Sequence, residues 1–182
     1  MKLLSDQVSE REVQVVLREL ARTGDVTGDV VEFGCYVGTT SVYLAHALQT
    51  TDKKLYLYDS FAGLPDKRSE DVSPAGEQFK TGELLATKKE LIRNLKQANV
   101  PMPIITKGWF SDVMPDQVPT EISFAFLDGD YYDSILDPLR LEPGDDRRAL
   151  HLGCVTGNHR RHLGRQGRED LLGMAHGGRE QR

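Results

Sequence analysis

The sequence predicts an α/β protein built around a parallel sheet. Strand-type and helix-type runs alternate from residue 9 to residue 140, a pattern typical of βαβ units. The first strand-type run, 30–34, ends in an acid and a glycine, and a second glycine follows before a helix-forming stretch. A strand, a glycine-rich turn and a helix N-terminus are the usual cradle for a nucleotide-like ligand. We therefore expect a Rossmann-like sheet with a ligand site at the carboxyl ends of its strands.

The first part of the chain predicts two helices and two strands. Ser9 and Glu12 have the spacing of a capping box, in which each side chain bonds the backbone N–H group of the other residue. Apolar residues at helical spacing then extend this helix to about residue 22. The next elements are a strand at about 30–34, a helix at about 39–49 and a second strand at about 55–59.

The second part continues the alternation after a long loop. Residues 60–82 are rich in glycine and proline and predict a loop, and a loop of this length is uncommon unless it is functional. A helix at about 83–98 is expected to bury Leu84, Leu91, Ile92 and Leu95. Two strands at about 103–107 and 122–127 and a short helix at about 131–140 complete the pattern.

The glycines and acids of the first two strands indicate the kind of ligand. Gly34 and Gly38 lack a Cβ atom, so the backbone can approach a ligand closely there. Glu32 ends the first strand and can meet a cationic or hydroxyl group. Asp59 ends the second strand, which is the usual position of a carboxylate that binds a ribose diol. These residues together predict an adenosine-type cofactor.

Composition excludes several other classes of protein. The chain has 182 residues and a formal net charge of −5, so it can form one sizeable core and does not favour nucleic acid. No apolar run reaches the roughly 18 residues of a membrane span, and the N-terminus does not resemble a signal peptide. The two cysteines are far apart, as expected of a reduced cytoplasmic protein.

The composition changes abruptly near residue 141. Residues 142–182 contain no aromatic residue and no lysine, yet they hold 8 of the 14 arginines, 8 of the 17 glycines and 4 of the 5 histidines. Such a segment buries too little apolar surface to offset the entropy of ordering it. We therefore predict a folded domain over residues 1–141 and a low-order tail rich in Arg, Gly and His over residues 142–182.

Four motifs resemble the macrocin O-methyltransferase (TylF-like) family. They lie at 32–34, 59–65, 108–110 and 127–132, occur in the family's order and cover about residues 10–141. The block Asp-Ser-Phe-Ala-Gly-Leu-Pro at 59–65 is the most specific. The resemblance implies a class I methyltransferase sheet, S-adenosylmethionine as cofactor and methylation of a sugar hydroxyl on a small natural product.

The resemblance also implies roles for single residues. Glu32 would face the methionine amino group, Gly34 and Gly38 would form the turn beneath the cofactor, and Asp59 would bind the ribose hydroxyls with Ser60 and Phe61 beside it. Trp109 and Phe110 would flank the adenine, although Trp109 is equally compatible with a core position. Asp130, Tyr131 and Tyr132 fit either the substrate site or the start of the next helix. No catalytic residue is assigned.

The same resemblance implies a divalent metal ion of the magnesium type. Asp128 matches the family position that helps to hold it, because Mg²⁺ prefers hard oxygen ligands. The family pattern then continues with a fifth strand and an acidic pair that completes the metal site. Here Asp145 and Asp146 follow Gly144 at once, without an intervening strand, and we do not equate them with that pair.

The change near residue 141 leaves two interpretations of function open. We interpret it as a shift of the reading frame, which leaves an incomplete sheet and an open apolar edge that favours association into oligomers. The leading prediction is a sugar O-methyltransferase or a truncated form of one. The alternative is a non-catalytic cofactor-binding or scaffolding remnant without the metal site and the base. A nicotinamide enzyme is disfavoured because Gly34 and Gly38 do not complete a G-x-G-x-x-G fingerprint.

Overall fold

The computed structural model describes residues 2–71 and 79–141. Four helices and four strands follow one another along these residues, with no α-helix between the last two strands: α1 Glu10–Arg22, β1 Asp29–Phe33, α2 Thr39–Ala47, β2 Leu55–Asp59, α3 Lys88–Gln97, β3 Ile104–Lys107, β4 Ile122–Leu127 and α4 Tyr132–Arg140. Short 3-10 turns occur at Ser69–Asp71, Phe110–Asp112 and Pro115–Gln117. The predicted tail, 142–182, lies outside the described residues.

The four strands form one parallel sheet in the order β3-β2-β1-β4. The register pairs Phe33 of β1 with Tyr58 of β2 on one side and with Leu127 of β4 on the other. The carboxyl ends of β1, β2 and β4 therefore lie side by side. The α/β class and the Rossmann-like sheet predicted from the sequence are confirmed.

Helices cover both faces of the sheet. Residues of β1, β2 and β4 that alternate along each strand pack on one face with α1, α2 and α3, and this cluster includes Val30, Leu57 and Phe124. The intervening residues pack on the other face with α4, including Val31 and Ile135. Both faces of the central strands are buried, which explains their continuous apolar runs.

The predicted start of the third helix is wrong by five residues. Helix α3 begins at Lys88, and Thr87 caps it by accepting a hydrogen bond from the Glu90 N–H group at 3.1 Å. Leu84 has a φ of +56°, which is incompatible with a right-handed helix. The predicted capping box of α1 is confirmed, because Ser9 and Glu12 bond each other's backbone N–H groups.

The long loop after β2 is closed at its base. The Leu64 N–H group donates to the Glu83 carbonyl, and the Gly82 N–H group donates to the Leu64 carbonyl, both at 2.9 Å. The loop therefore leaves and re-enters the fold at one point, Leu64 lying beside Gly82 and Glu83.

Strand β4 lies at one end of the sheet formed by the described residues. All six of its residues are buried, as they would be in the interior of a larger sheet. Among the residues described, no helix is long and apolar enough to cross a membrane.

Candidate cofactor site

A cavity of about 1010 Å³ lies at the carboxyl ends of the strands, where parallel α/β sheets bind their ligands. The structure brings together at its wall seven of the nine residues predicted for cofactor and metal: Glu32, Gly34, Asp59, Ser60, Trp109, Phe110 and Asp128. Gly38 and Phe61 do not line it.

Both glycines of the first turn face protein atoms where a Cβ atom would stand. Gly34 has a φ of +92°, and a Cβ there would lie 2.4 Å from the Asp128 carbonyl oxygen. Gly38 has a φ of +90°, and its Cβ would lie 2.4 Å from Cδ1 of Leu91 in α3. The glycines thus allow β4 and α3 to approach the turn, a reason that the sequence pattern alone did not indicate.

Glu32 is a buried carboxylate on the cavity wall. Its side chain is only 1% exposed. Its Oε2 atom has no hydrogen-bond partner within the described part of the chain. Buried polar atoms normally have partners, so this oxygen on the cavity wall indicates a ligand that supplies a hydrogen-bond donor.

The surroundings of Glu32 favour its neutral form when the cavity is empty. Burial is the main cause that raises the pKa of Glu32 from 4.5 to about 8, and the charges of Asp128 and Asp59 add to the effect. The Ser41 hydroxyl acts in the opposite direction. A cation bound beside Glu32 would restore the ionised form.

Asp59 organises the glycine turn from the end of β2. Its Oδ2 atom accepts hydrogen bonds from the N–H groups of Cys35 at 2.8 Å and Tyr36 at 3.0 Å. Its Oδ1 atom accepts from the Phe61 N–H group at 2.7 Å. A carboxylate has about four acceptor positions, so Asp59 has room for about one further donor.

Ser60 and Phe61 shape the turn that follows β2. The Ser60 hydroxyl donates to the Gly63 carbonyl at 3.2 Å and accepts from the Ala62 N–H group at 3.1 Å. Phe61 has a φ of +51° and buries its ring in the core with α2 and α3. The most specific motif of the sequence is therefore a tightly bonded turn beside the cavity.

The two predicted aromatic residues differ in their surroundings. Trp109 is 40% exposed at the cavity, so its ring is available to a ligand. Phe110 meets Phe33 edge-on, with the ring centroids 5.3 Å apart, and Phe33 in turn stacks on Tyr58. Phe110 therefore belongs partly to the core.

Asp128 follows β4 and lines the cavity next to Gly34. Among the described residues, no group of three or more His, Cys, Asp or Glu side chains is placed to hold a metal ion. Mg²⁺ usually needs one or two carboxylates together with further oxygens. The described residues therefore provide Asp128 without a cluster of further protein ligands.

Sequence reasoning missed two parts of the cavity wall. Residues 5–8, which precede α1, line it, and the Ser5 and Thr39 hydroxyls lie 3.4 Å apart. Residues 64–68 and Asp71 of the long loop also line it. The length of that loop indicated a function, but its position could not be obtained from local spacing.

The fold and this cavity define a Rossmann-like protein with a candidate ligand site at the carboxyl ends of a parallel sheet. A family profile described as macrocin-O-methyltransferase (TylF) matches residues 9–142. The chain belongs to this family, and membership implies S-adenosylmethionine as the methyl donor.

Two solved structures have the same fold. The O-methyltransferase NovP superposes with a TM-score of 0.56 at 24% identity over 71% of this chain and 56% of its own. The calicheamicin methyltransferase CalS11 gives a TM-score of 0.54 at 21% identity over 72% and 59%. This chain therefore spans less than two thirds of the length of either enzyme. No curated protein sequence matches it significantly.

Proposed function

We propose that the chain binds S-adenosylmethionine in the 1010 Å³ cavity and serves the transfer of a methyl group to a sugar hydroxyl of a small natural product. The observation that carries the proposal is Glu32, a buried carboxyl group with an unbonded oxygen on the cavity wall. The cofactor's ammonium group offers both the charge and the donors that Glu32 lacks.

The other wall residues fit the rest of the cofactor. Asp59 has an acceptor position left for a ribose hydroxyl while it holds the glycine turn in place. Trp109 offers an exposed aromatic face to the adenine, and stacking on a base is worth roughly 1–3 kcal/mol. These side chains orient the ligand without entering the reaction.

When bound, the cofactor would supply an electrophilic methyl group to the acceptor oxygen and would leave as S-adenosylhomocysteine. The protein contributes chiefly by positioning the two reactants. The sugar acceptor rests on family membership and on the macrocin O-methyltransferase description of the profile. A magnesium-type ion at Asp128 would need further ligands from beyond the described residues.

Equilibrium binding of S-adenosylhomocysteine tests the cofactor site. We expect Glu32→Gln to weaken binding at least tenfold, because the ammonium group loses its charged partner. Glu12→Gln is the matched control: Glu12 also lines the cavity, but its carboxylate is already bonded to Ser9. Equal affinities of the wild type and the Glu32 variant would refute the assignment.

A non-catalytic cofactor-binding protein is the second candidate. It is favoured by the absence of a metal-ligating cluster within the described residues. Methyl transfer from labelled S-adenosylmethionine to glycosylated acceptors separates the two functions. Tight cofactor binding without transfer to any acceptor, with and without Mg²⁺, would favour the second candidate.

A further inference from the structure

Residues 64–71, here called the arm, form a wall of the cavity that is anchored at both ends. Leu64 is held at the base of the loop by its bonds to Gly82 and Glu83. At the other end, Oδ1 of Asp71 accepts a hydrogen bond from the Tyr132 N–H group at 2.7 Å. Residues 64–68 and Asp71 line the cavity between these anchors.

Asp71 caps helix α4 from a distant part of the chain. Tyr132 is the first residue of α4, and Tyr131, at the capping position, provides no side-chain cap. Asp71, 61 residues away, supplies the acceptor instead, and a carboxylate is well suited to a helix N-terminus. Its Oδ2 atom accepts from the Arg68 N–H group at 2.9 Å, which fixes the carboxylate within the arm.

Two further contacts support the same junction. Nε of Arg68 lies 2.7 Å from Oδ2 of Asp133, and Nζ of Lys67 lies 6.0 Å from the centre of the Tyr131 ring. Arg68 is well exposed, with 66% of its side chain accessible, so its ion pair adds little. The bond between Asp71 and Tyr132 is therefore the principal anchor.

Helix α4 in turn supports the acidic turn 128–130. A Cβ atom on Gly129 would lie 2.5 Å from Cβ of Ser134 in α4, so this turn rests directly on the helix. Asp128 and Asp130 both line the cavity. Movement of the first turn of α4 would therefore change the position of these two carboxylates.

We propose that Asp71 is a positioning residue that couples the arm to α4. Through α4 it holds the acidic turn 128–130 on the side of the cavity where the methyl acceptor would bind. The proposal rests on the proposed function. We assign the acidic turn to the side of the methyl acceptor by its position. The cofactor residues Glu32 and Asp59 lie near the ends of β1 and β2, whereas the arm contacts α4 and thereby the turn after β4.

Amide hydrogen exchange and S-adenosylhomocysteine binding test this role in the full 182-residue chain. Asp71→Ala removes both acceptors, and Asp71→Asn keeps one of them. Glu70→Gln is the matched control, since Glu70 is a fully exposed neighbour in the same 3-10 turn. The chain's single tryptophan, Trp109, lies at the cavity and reports ligand binding by fluorescence.

For Asp71→Ala we expect exchange at Tyr132, in the arm and at residues 128–130 to rise at least tenfold together. Amides of β1 should be unaffected, and the affinity for S-adenosylhomocysteine should stay within about threefold. Asp71→Asn should give an intermediate effect and Glu70→Gln none. Exchange that rises equally in β1, or that does not rise at Tyr132, would overturn the proposal.

The cofactor measurement separates this proposal from the proposed function. A tenfold loss of S-adenosylhomocysteine affinity in Asp71→Ala but not in Glu70→Gln would place the arm on the cofactor side and overturn the assignment. Failure of the wild-type chain to bind the ligand would refute the proposed function, whereas the exchange results would still report whether Asp71 anchors the arm.

Discussion

At the scale of single residues, Glu32 connects the sequence most directly to the proposed function. Its place at the end of a buried strand is visible in the sequence. Its unbonded Oε2 atom and its proximity to Asp59 and Asp128 require the folded chain. A buried acid without a partner costs stability, so its presence on a cavity wall is readily explained by a ligand.

The raised pKa of Glu32 predicts a pH dependence of stability. The folded state holds this proton up to about pH 8, whereas the ordinary value is 4.5. The stability associated with the neutral form is therefore complete below pH 4.5 and is lost as the pH rises through 8. The free energy of unfolding of Glu32→Gln, measured relative to that of the wild type, should therefore rise by about 4 kcal/mol between pH 5 and pH 9, because one pKa unit corresponds to roughly 1.4 kcal/mol.

Urea unfolding of both proteins across this pH range provides the measurement. The difference in unfolding free energy between the two proteins removes the contributions of the other titrating groups, which both proteins share. A constant difference from pH 5 to pH 9 would show that Glu32 is not buried in its neutral form.

Asp59 predicts a structural effect in addition to the binding effect. Asp59→Asn places an amide donor where the carboxylate now accepts from Cys35 and Tyr36. Leaving such amides unbonded costs about 1–3 kcal/mol, and thermal unfolding should show that loss together with weaker cofactor binding. Asp29→Asn is the control, because Asp29 accepts one amide through a single oxygen. Full stability with selective loss of binding would mean that Asp59 serves the ligand alone.

At the scale of elements, the glycine turn explains why local sequence predicts so much of the fold. The capping box of α1 and the strand–turn–helix unit around β1 depend on neighbouring residues and were predicted correctly. The start of α3 was predicted wrongly, because Leu84 has a left-handed backbone conformation that breaks an otherwise helical apolar pattern. The cap that Asp71 gives to α4 was not predicted either, since 61 residues separate its two partners.

Gly38 predicts a packing effect that is separate from binding. Gly38→Ala would combine a positive φ with a contact of 2.4 Å to Leu91. We expect a loss of about 1–3 kcal/mol, since a side chain in the left-handed region alone costs roughly 1–2 kcal/mol. The affinity of the folded protein for S-adenosylhomocysteine should hardly change.

The variant Gly82→Ala measures the cost of placing a side chain at a positive φ without a steric contact. Gly82 has a φ of +79°, but a Cβ atom there would meet nothing within 4 Å. Chemical denaturation of the two variants should therefore show Gly38→Ala as the less stable. Loss of cofactor affinity in Gly38→Ala would mean that Gly38 contributes to the cofactor site after all.

At the scale of the whole molecule, the cavity draws its walls from both ends of the described chain. Residues 5–8 and helix α4 both line it, although only the strand ends were identified from the sequence. The sheet could be predicted because β1, β2 and β4 are largely buried, mostly apolar runs. The rest of the cavity wall could not be predicted, because it depends on how loops and the N-terminal segment fold back over the strands.

The boundary predicted from the sequence near residue 141 implies that the cofactor site is independent of residues 142–182. All cofactor residues proposed lie between Glu32 and Phe110, within the described chain. A chain ending at Leu141 should therefore bind S-adenosylhomocysteine within about threefold of the full 182-residue chain. Calorimetric titration of both chains measures this, and loss of binding in the shorter one would make residues 142–182 part of the site.

The most direct test of the central claim is a calorimetric titration of the full chain with S-adenosylhomocysteine at pH 7, in two buffers with different enthalpies of ionisation. Because the pKa of Glu32 is raised to about 8 in the empty cavity, a bound ammonium group should displace its proton. We predict saturable binding with one site per chain and the release of close to one proton, which Glu32→Gln abolishes. Absence of binding by the folded chain, or binding without proton release, would contradict the role assigned to Glu32.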